Sequence, residues 1–142
     1  MLELNRPGKI INVASIISFI GGAQISTYAA TKGGILQMTK ALSNEWAGKG
    51  IQVNCICPGY VENSTDLLIE GTNETSSRYC ATPLTVEYTS DNVKNEYVIQ
   101  GTPAGRWGLP EDFRGVVVFL ASSASNFVTG TSIVVDGGLI AK

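Results

Sequence analysis

A tyrosine and a lysine stand four residues apart in "ISTYAATKGG", residues 25–34. A phenol beside an ammonium is a pair that can move a proton, because the nearby cation favours the ionised phenol. On a helix Tyr28 and Lys32 would project from the same face, one turn apart. Taken alone, the pair has two readings: an ordinary contact on a helix surface, or the working end of a proton-transfer site. Deciding between them requires further groups and the elements that would bring them together. Other residue types able to do chemistry are few. The chain has no histidine, and Cys55 and Cys57 in "VNCICPG" form a C-x-C without a second ligand pair, so no metal is expected. On a strand these two thiols share a face, a poor geometry for a disulfide. With Cys80 they read as reduced cysteines packed as small hydrophobes, which favours a reducing compartment.

The elements that must position these groups read as α/β. "PGKIINVAS" is a turn and then a short strand from about Lys9 to Ala14, apolar enough to be buried on both faces. Gly21 and Gly22 interrupt the loop that follows. Ser26 or Thr27 is placed to cap a helix running to about Ala47, with Ala29, Leu36, Met38, Ala41, Leu42 and Trp46 as apolar positions. Gly33 and Gly34 in that helix would permit close approach by another backbone. "GKG" ends it, and "IQVNCICPG" is a second buried strand stopping at Pro58-Gly59. From Tyr60 to Gln100 the pattern fades, with short helices expected near 64–70 and 90–100, and the segment reads as a functional lid or as partly disordered. "LPEDF" starts a helix to about Ser122, with Pro110 in its first turn, and "GTSIVVDGG" supplies a third strand before a turn at Gly137-Gly138. Buried strands alternating with helices predict a parallel sheet. Its first strand would have an open edge, which natural proteins avoid, so something is expected to be missing on that side.

The 142 residues are the length of one domain, and 44% apolar with 15% charged residues is ordinary for a folded chain. A net charge of −2 and the lack of charge blocks argue against nucleic acid as a partner. The start, "MLELNRPGK", has no apolar core of a signal peptide, and no apolar run is long enough for a bilayer, so a cytoplasmic location without membrane is expected. The triplets at Asn63 and Asn73 would matter as glycosylation sites only in a secreted protein.

Several blocks occur in order: "NVAS", Y-x-x-x-K with Tyr28 thirteen positions after Ser15, "VNCICPGYV", "PAGRWGLPEDF" and "VVDGG". Together they resemble the C-terminal half of the short-chain dehydrogenase/reductase family, and "GKIINVAS" and "PAGRWGLPEDF" look most like its gluconate-type sugar-acid dehydrogenases. The resemblance implies half of a Rossmann-type doubly wound parallel sheet. It implies NAD- or NADP-dependent hydride transfer on a secondary alcohol or ketone, possible substrates including a sugar acid. Tyr28 would be the general acid/base, Lys32 would favour its phenolate and hydrogen-bond the nicotinamide ribose, and Ser15 would hold the substrate oxygen. Ser18 is an alternative hydroxyl. Pro58 and Gly59, with the backbone of Tyr60 and Val61, would lie against the nicotinamide, at the carboxyl ends of the strands. The final strand and the helix bearing Tyr28 imply a homo-oligomer or packing on a full-length homologue. Asn12 and Asn54 read as ties between loops and strands, Trp46 and Trp107 as packing residues, and Arg106 as either an ion-pair partner or a substrate-carboxylate contact.

Two departures from that family qualify the resemblance. No G-x-G-x-x-G occurs, so the glycine-rich half that holds the pyrophosphate is lacking, as is the helix bearing the family's catalytic asparagine. The chain is therefore expected to be a fragment: 1–142 as a partial Rossmann-type domain, with about 64–100 a substrate-loop or lid region carrying inserted material. A non-catalytic chain acting only as an interaction or oligomerisation module is the rival expectation. Asn63 replaces the threonine that the family often has four positions after the Pro-Gly glycine, where it touches the nicotinamide carboxamide.

Overall fold

The computed structural model describes residues 1–61 and 92–141. The expected helix near 64–70, Asn63 and Cys80 lie outside the described residues. The described chain forms two compact units, one of Met1–Gly59 with Phe113–Val135, the other of Tyr60–Asp112 with Asp136–Lys142.

The first unit is built on a parallel sheet of strands β1 (Gly8–Val13), β2 (Ile51–Pro58) and β3 (Ser132–Val135), in that order. Helix α1 (Ser26–Trp46) connects β1 to β2, as two parallel neighbours require a crossover. The register sets Val13 beside Ile56 and Val135 beside Pro58, so all three strands end at one edge of the sheet. β2, flanked on both sides, carries the core: Ile51, Val53, Cys55, Ile56 and Cys57 are all buried. Each aliphatic side chain so buried contributes about 1.5–3 kcal/mol. Cys55 and Cys57 face Leu36 of α1 together with Ala14. Asn54 on the opposite pleat is buried too, and both ends of its amide bond the 128–131 loop: Nδ2 donates to the Val128 carbonyl at 2.8 Å and Oδ1 accepts from Thr131 N at 3.1 Å.

Three expectations need correction here. β1 is not buried on both faces: its residues are half-buried and Val13 is 57% exposed, because among the described residues this strand pairs only with β2. α1 has no side-chain cap. Gln24 takes a left-handed conformation, φ 63°, which makes Ile25 the first flanking residue and puts Ser26 and Thr27 inside the first turn, where they no longer cap. Of the apolar positions on α1 only Leu36 is buried; Thr39 and Ser43 fill the other inward positions, while Met38 is exposed. At Gly33 and Gly34 the space is open: nothing among the described residues lies within 4 Å of a Cβ built at either.

The ties differ slightly from expectation as well. Asn54 does link a loop to a strand, but Asn12 links strand to helix, donating from Nδ2 to Thr39 Oγ1 at 2.9 Å. The helix expected from Pro110 to Ser122 is in fact a 3-10 turn, Pro110–Phe113, followed by α3 (Arg114–Ala121), which is numbered after α2 (Asn92–Gly101) in the second unit. Asp112 causes the tight turn, its amide donating to the Leu109 carbonyl at 3.0 Å while its carboxylate accepts from Leu109 N at 2.7 Å.

In the second unit, α2 buries Val98. Trp107 is buried, its indole N–H donating to Asn95 Oδ1 at 2.7 Å and its ring packing edge-on against Tyr60 at 5.4 Å. Gly137 and Gly138 form the expected turn, with φ of 64° and 87°; Asp136 holds it by accepting from the amides of Gly138 and Ile140.

Candidate active site

Ser15 stands two residues past the end of β1, after Ala14, beyond the edge where the strands end. It is 6% exposed and caps a 3-10 turn, Ile16–Ser18. The amide of Ile17 donates to Ser15 Oγ at 3.2 Å. That bond occupies a lone pair and fixes the hydroxyl; its own proton has no acceptor among the described residues. A hydroxyl held this way can donate to an incoming oxygen.

Tyr28 and Lys32 share one face of α1, as the spacing requires, and both are half-buried. Lys32 Nζ stands 5.8 Å from the centre of the Tyr28 ring, within reach of a cation–π contact. The same ammonium donates to the carbonyl of Val13 at 2.9 Å. Lys32 therefore joins the helix that carries Tyr28 to the strand end that carries Ser15. The phenol oxygen of Tyr28 makes no hydrogen bond with the described residues.

Ser18 has a different role from that of a spare substrate hydroxyl. Its Oγ donates to the carbonyl of Lys32 at 2.8 Å and accepts the amide of Ser15 at 3.3 Å, so its single proton is committed. Sequence reasoning weighed Ser18 and missed this bridge. The S-x-x-S spacing is the available signal, since it matches the reciprocal capping pattern. The Val13 carbonyl had no signal to read, because a backbone acceptor is independent of residue type.

Behind Ser15 lie the two thiols. Burial pushes both up, Cys57 to about 12, with the neighbouring Cys55 adding to the rise; the backbone of Ser15 and the charge of Lys32 pull the other way. Their sulfurs are 4.0 Å apart and unbonded, as expected of packed thiols. No group of metal-binding side chains occurs among the described residues.

β2 brings Pro58 and Gly59 to the same sheet edge, and Gly59 N donates to the Val135 carbonyl at 3.0 Å. Tyr60 and Val61 belong to the second unit, where the Tyr60 carbonyl accepts from Gly108 N at 2.9 Å and Val61 bridges Gly108. Arg106 resolves toward the ion-pair reading: it holds both carboxylate oxygens of Asp112, at 2.7 and 2.9 Å. That guanidinium, with the Leu109 amide, lowers the Asp112 carboxyl to about 2. A cleft of about 420 Å³ in the first unit lies elsewhere, lined by the first four residues, Ile10, Ile51 and Trp46, and includes neither Ser15, Tyr28 nor Lys32. The Trp46 indole N–H is buried and without a partner among the described residues.

Parallel strands thus end beside a serine, and the crossover helix carries the tyrosine–lysine pair. A family model described as short chain dehydrogenase matches residues 1–76, and one described as enoyl-(acyl carrier protein) reductase matches residues 72–140. The chain belongs to the short-chain dehydrogenase family. It is 42% identical over 135 residues to 2-dehydro-3-deoxy-D-gluconate 5-dehydrogenase of Escherichia coli (strain K12), covering 95% of this chain and 46% of that protein. It is also 42% identical to a 3-oxoacyl-[acyl-carrier-protein] reductase of Chlamydia pneumoniae, over 94% of this chain and 46% of that one. The solved gluconate 5-dehydrogenase of Burkholderia cenocepacia, in complex with NADP and tartrate, superposes with a TM-score of 0.79 at 38% identity, over 96% of this chain and 46% of that one. The fold is thus the Rossmann-type α/β arrangement, and the chain spans about half the length of the curated relatives it matches. No helix among the described residues is long and apolar enough to cross a membrane.

Proposed function

We propose that these residues are the proton-relay part of an NAD(P)-dependent oxidoreductase that interconverts a secondary alcohol and a ketone on a sugar acid. The observation that carries this reading is the Lys32 ammonium, bonded to the carbonyl of Val13 two residues before Ser15 and standing over Tyr28. The sugar-acid class rests on the names of the gluconate-type relatives, and NADP on the cofactor held by the Burkholderia structure.

Ser15 donates its free proton to the substrate oxygen and holds it. Tyr28 takes the hydroxyl proton at its phenol oxygen in oxidation and returns it in reduction, while Lys32 favours negative charge developing there. NAD or NADP, when bound, takes up or supplies the hydride. Tyr28, Lys32, Pro58, Gly59, Tyr60, Val61 and Asn63 would hold its nicotinamide end, in keeping with the strand-end position of Pro58 and Gly59. The pyrophosphate has no glycine-rich loop in this sequence. Exposed apolar side chains at Val118 and Phe127 support association with a second copy or a homologue.

Replacement of Tyr28 by phenylalanine tests the assignment. NADP-linked oxidation of a gluconate-type acid should fall by about a hundredfold or more, with circular dichroism and melting unchanged. Turnover retained by the Tyr28→Phe chain would refute it.

A further inference from the structure

The Ser18 side chain does two jobs with one oxygen, and both join parts of the candidate site. As acceptor it takes the amide of Ser15; as donor it gives its proton to the carbonyl of Lys32, fourteen residues away on α1. The Ser18 amide also donates to the Ser15 carbonyl at 3.0 Å, so the turn closes on Ser15 from both sides. Lys32 is then held at two points: its carbonyl by Ser18 and its ammonium by Val13. The result is a closed circuit, from Val13 along the chain to Ser15, across to Ser18, across to Lys32 and back to Val13. We propose that Ser18 is a positioning residue that fixes the Ser15 hydroxyl relative to the Tyr28–Lys32 face of α1.

The physical argument is geometric. Ser15 lies just past Ala14, whose amide makes the last ladder bond to the Ile56 carbonyl at 2.8 Å, and among the described residues β1 has a strand on one side only. Without Ser18 Oγ, the Ser15 amide loses its oxygen acceptor and keeps only the weaker Cys57 sulfur, and the turn loses its only side-chain bond to α1 among the described residues. Hydride transfer tolerates little misplacement of a group that orients the reacting oxygen. The circuit does not touch substrate, so Ser18 acts through Ser15 and Lys32 alone. Its role in turnover rests on the function proposed above; its role in holding Ser15 does not.

The test compares Ser18→Ala and Ser18→Thr in the 142-residue chain. Amide hydrogen exchange at Ser15 should speed up by about tenfold in Ser18→Ala, while Cys55, whose amide donates to Thr131 within the sheet, keeps its protection. Ser18→Thr retains the hydroxyl and should restore Ser15. Turnover of a gluconate-type acid should fall by about tenfold to a hundredfold in kcat in Ser18→Ala, with KM for NADP unchanged, and recover in Ser18→Thr. Unchanged Ser15 exchange in Ser18→Ala overturns the proposal. So does full turnover in Ser18→Ala where a parallel Ser15→Ala variant has lost it. Should the unmodified chain show no turnover, or Ser15→Ala retain all of it, the functional reading fails, and the exchange measurement still decides whether Ser18 holds Ser15.

Discussion

A serine hydroxyl has one proton to donate, and the two serines of the Ser15–Ser18 turn use theirs differently. Ser18 has spent its proton on the Lys32 carbonyl, while Ser15 keeps its own because the Ile17 amide fills only a lone pair. Residue type and spacing could nominate both serines but could not tell them apart, since hydrogen-bond commitments depend on where the helix carbonyls fall. The thiols behind them are a second case. Cys57 is fully buried, and burial raises its thiol from 9.0 to about 12. At neutral pH it is therefore a neutral thiol packed against Ala14 and Leu36, not a nucleophile. Alkylation with iodoacetamide at neutral pH, read by mass spectrometry, should leave the Cys55–Cys57 peptide unmodified in the folded chain and modify it in urea. Because the folded chain holds this proton more tightly than the unfolded one, the Cys57 contribution to stability is complete below pH 9 and is lost as pH rises through about 12. Urea denaturation at rising alkaline pH should show that loss, and Cys57→Ala should flatten it; an identical alkaline slope in the variant would contradict the assignment.

At the scale of elements, the apolar runs made the three strands, the long helix and their parallel order legible, because burial and period are written directly in residue type. What was not legible depended on neighbours. β1 reads as apolar as β2, yet only β2 has a strand on each side. The missing cap of α1 follows from one left-handed residue, Gln24, which no propensity assigns to glutamine. Asn54 could be read as a tie, and the structure gives the tie its strength. Asn54→Ala would leave the partly buried Val128 carbonyl and Thr131 amide without their partner, a cost of about 1–3 kcal/mol, measurable as a shift in the urea midpoint. A change below about 0.5 kcal/mol would mean that water replaces the amide. The Pro110–Phe113 turn offers a milder test. The Arg106 guanidinium and the Leu109 amide hold the exposed Asp112 carboxyl at about 2, below its ordinary 3.8, so their contribution is present above pH 3.8 and disappears as pH falls through about 2. In Arg106→Ala the carboxyl-carbon NMR titration of Asp112 should move back toward 3.8, though not fully, because the Leu109 amide remains.

For the molecule as a whole, the question is how much of a dinucleotide these 142 residues can hold. Of the groups proposed above to hold the nicotinamide end, Pro58 and Gly59 lie at the end of β2 and Lys32 reaches the end of β1 through the Val13 carbonyl, and nothing in the sequence has the G-x-G-x-x-G spacing that brings backbone amides to a pyrophosphate. Charge adds little: the chain carries a net −2, so no general attraction compensates for the missing amides. Without the phosphate contacts, the nicotinamide end must supply nearly all of the binding free energy against the cost of immobilising a long, flexible ligand. The chain produced as these 142 residues should therefore bind NADP and NAD no more tightly than about 1 mM, about −4 kcal/mol. Titration calorimetry with each nucleotide measures this directly. Added separately, nicotinamide mononucleotide should bind about as well as the whole dinucleotide, because the adenosine half finds no partner. A dissociation constant near 10 μM for NADP, well below that for the mononucleotide, would show that residues outside the strand-end site grip the phosphates, and the binding surface would have to be sought in the segment between residues 62 and 91 or in a second copy of the chain.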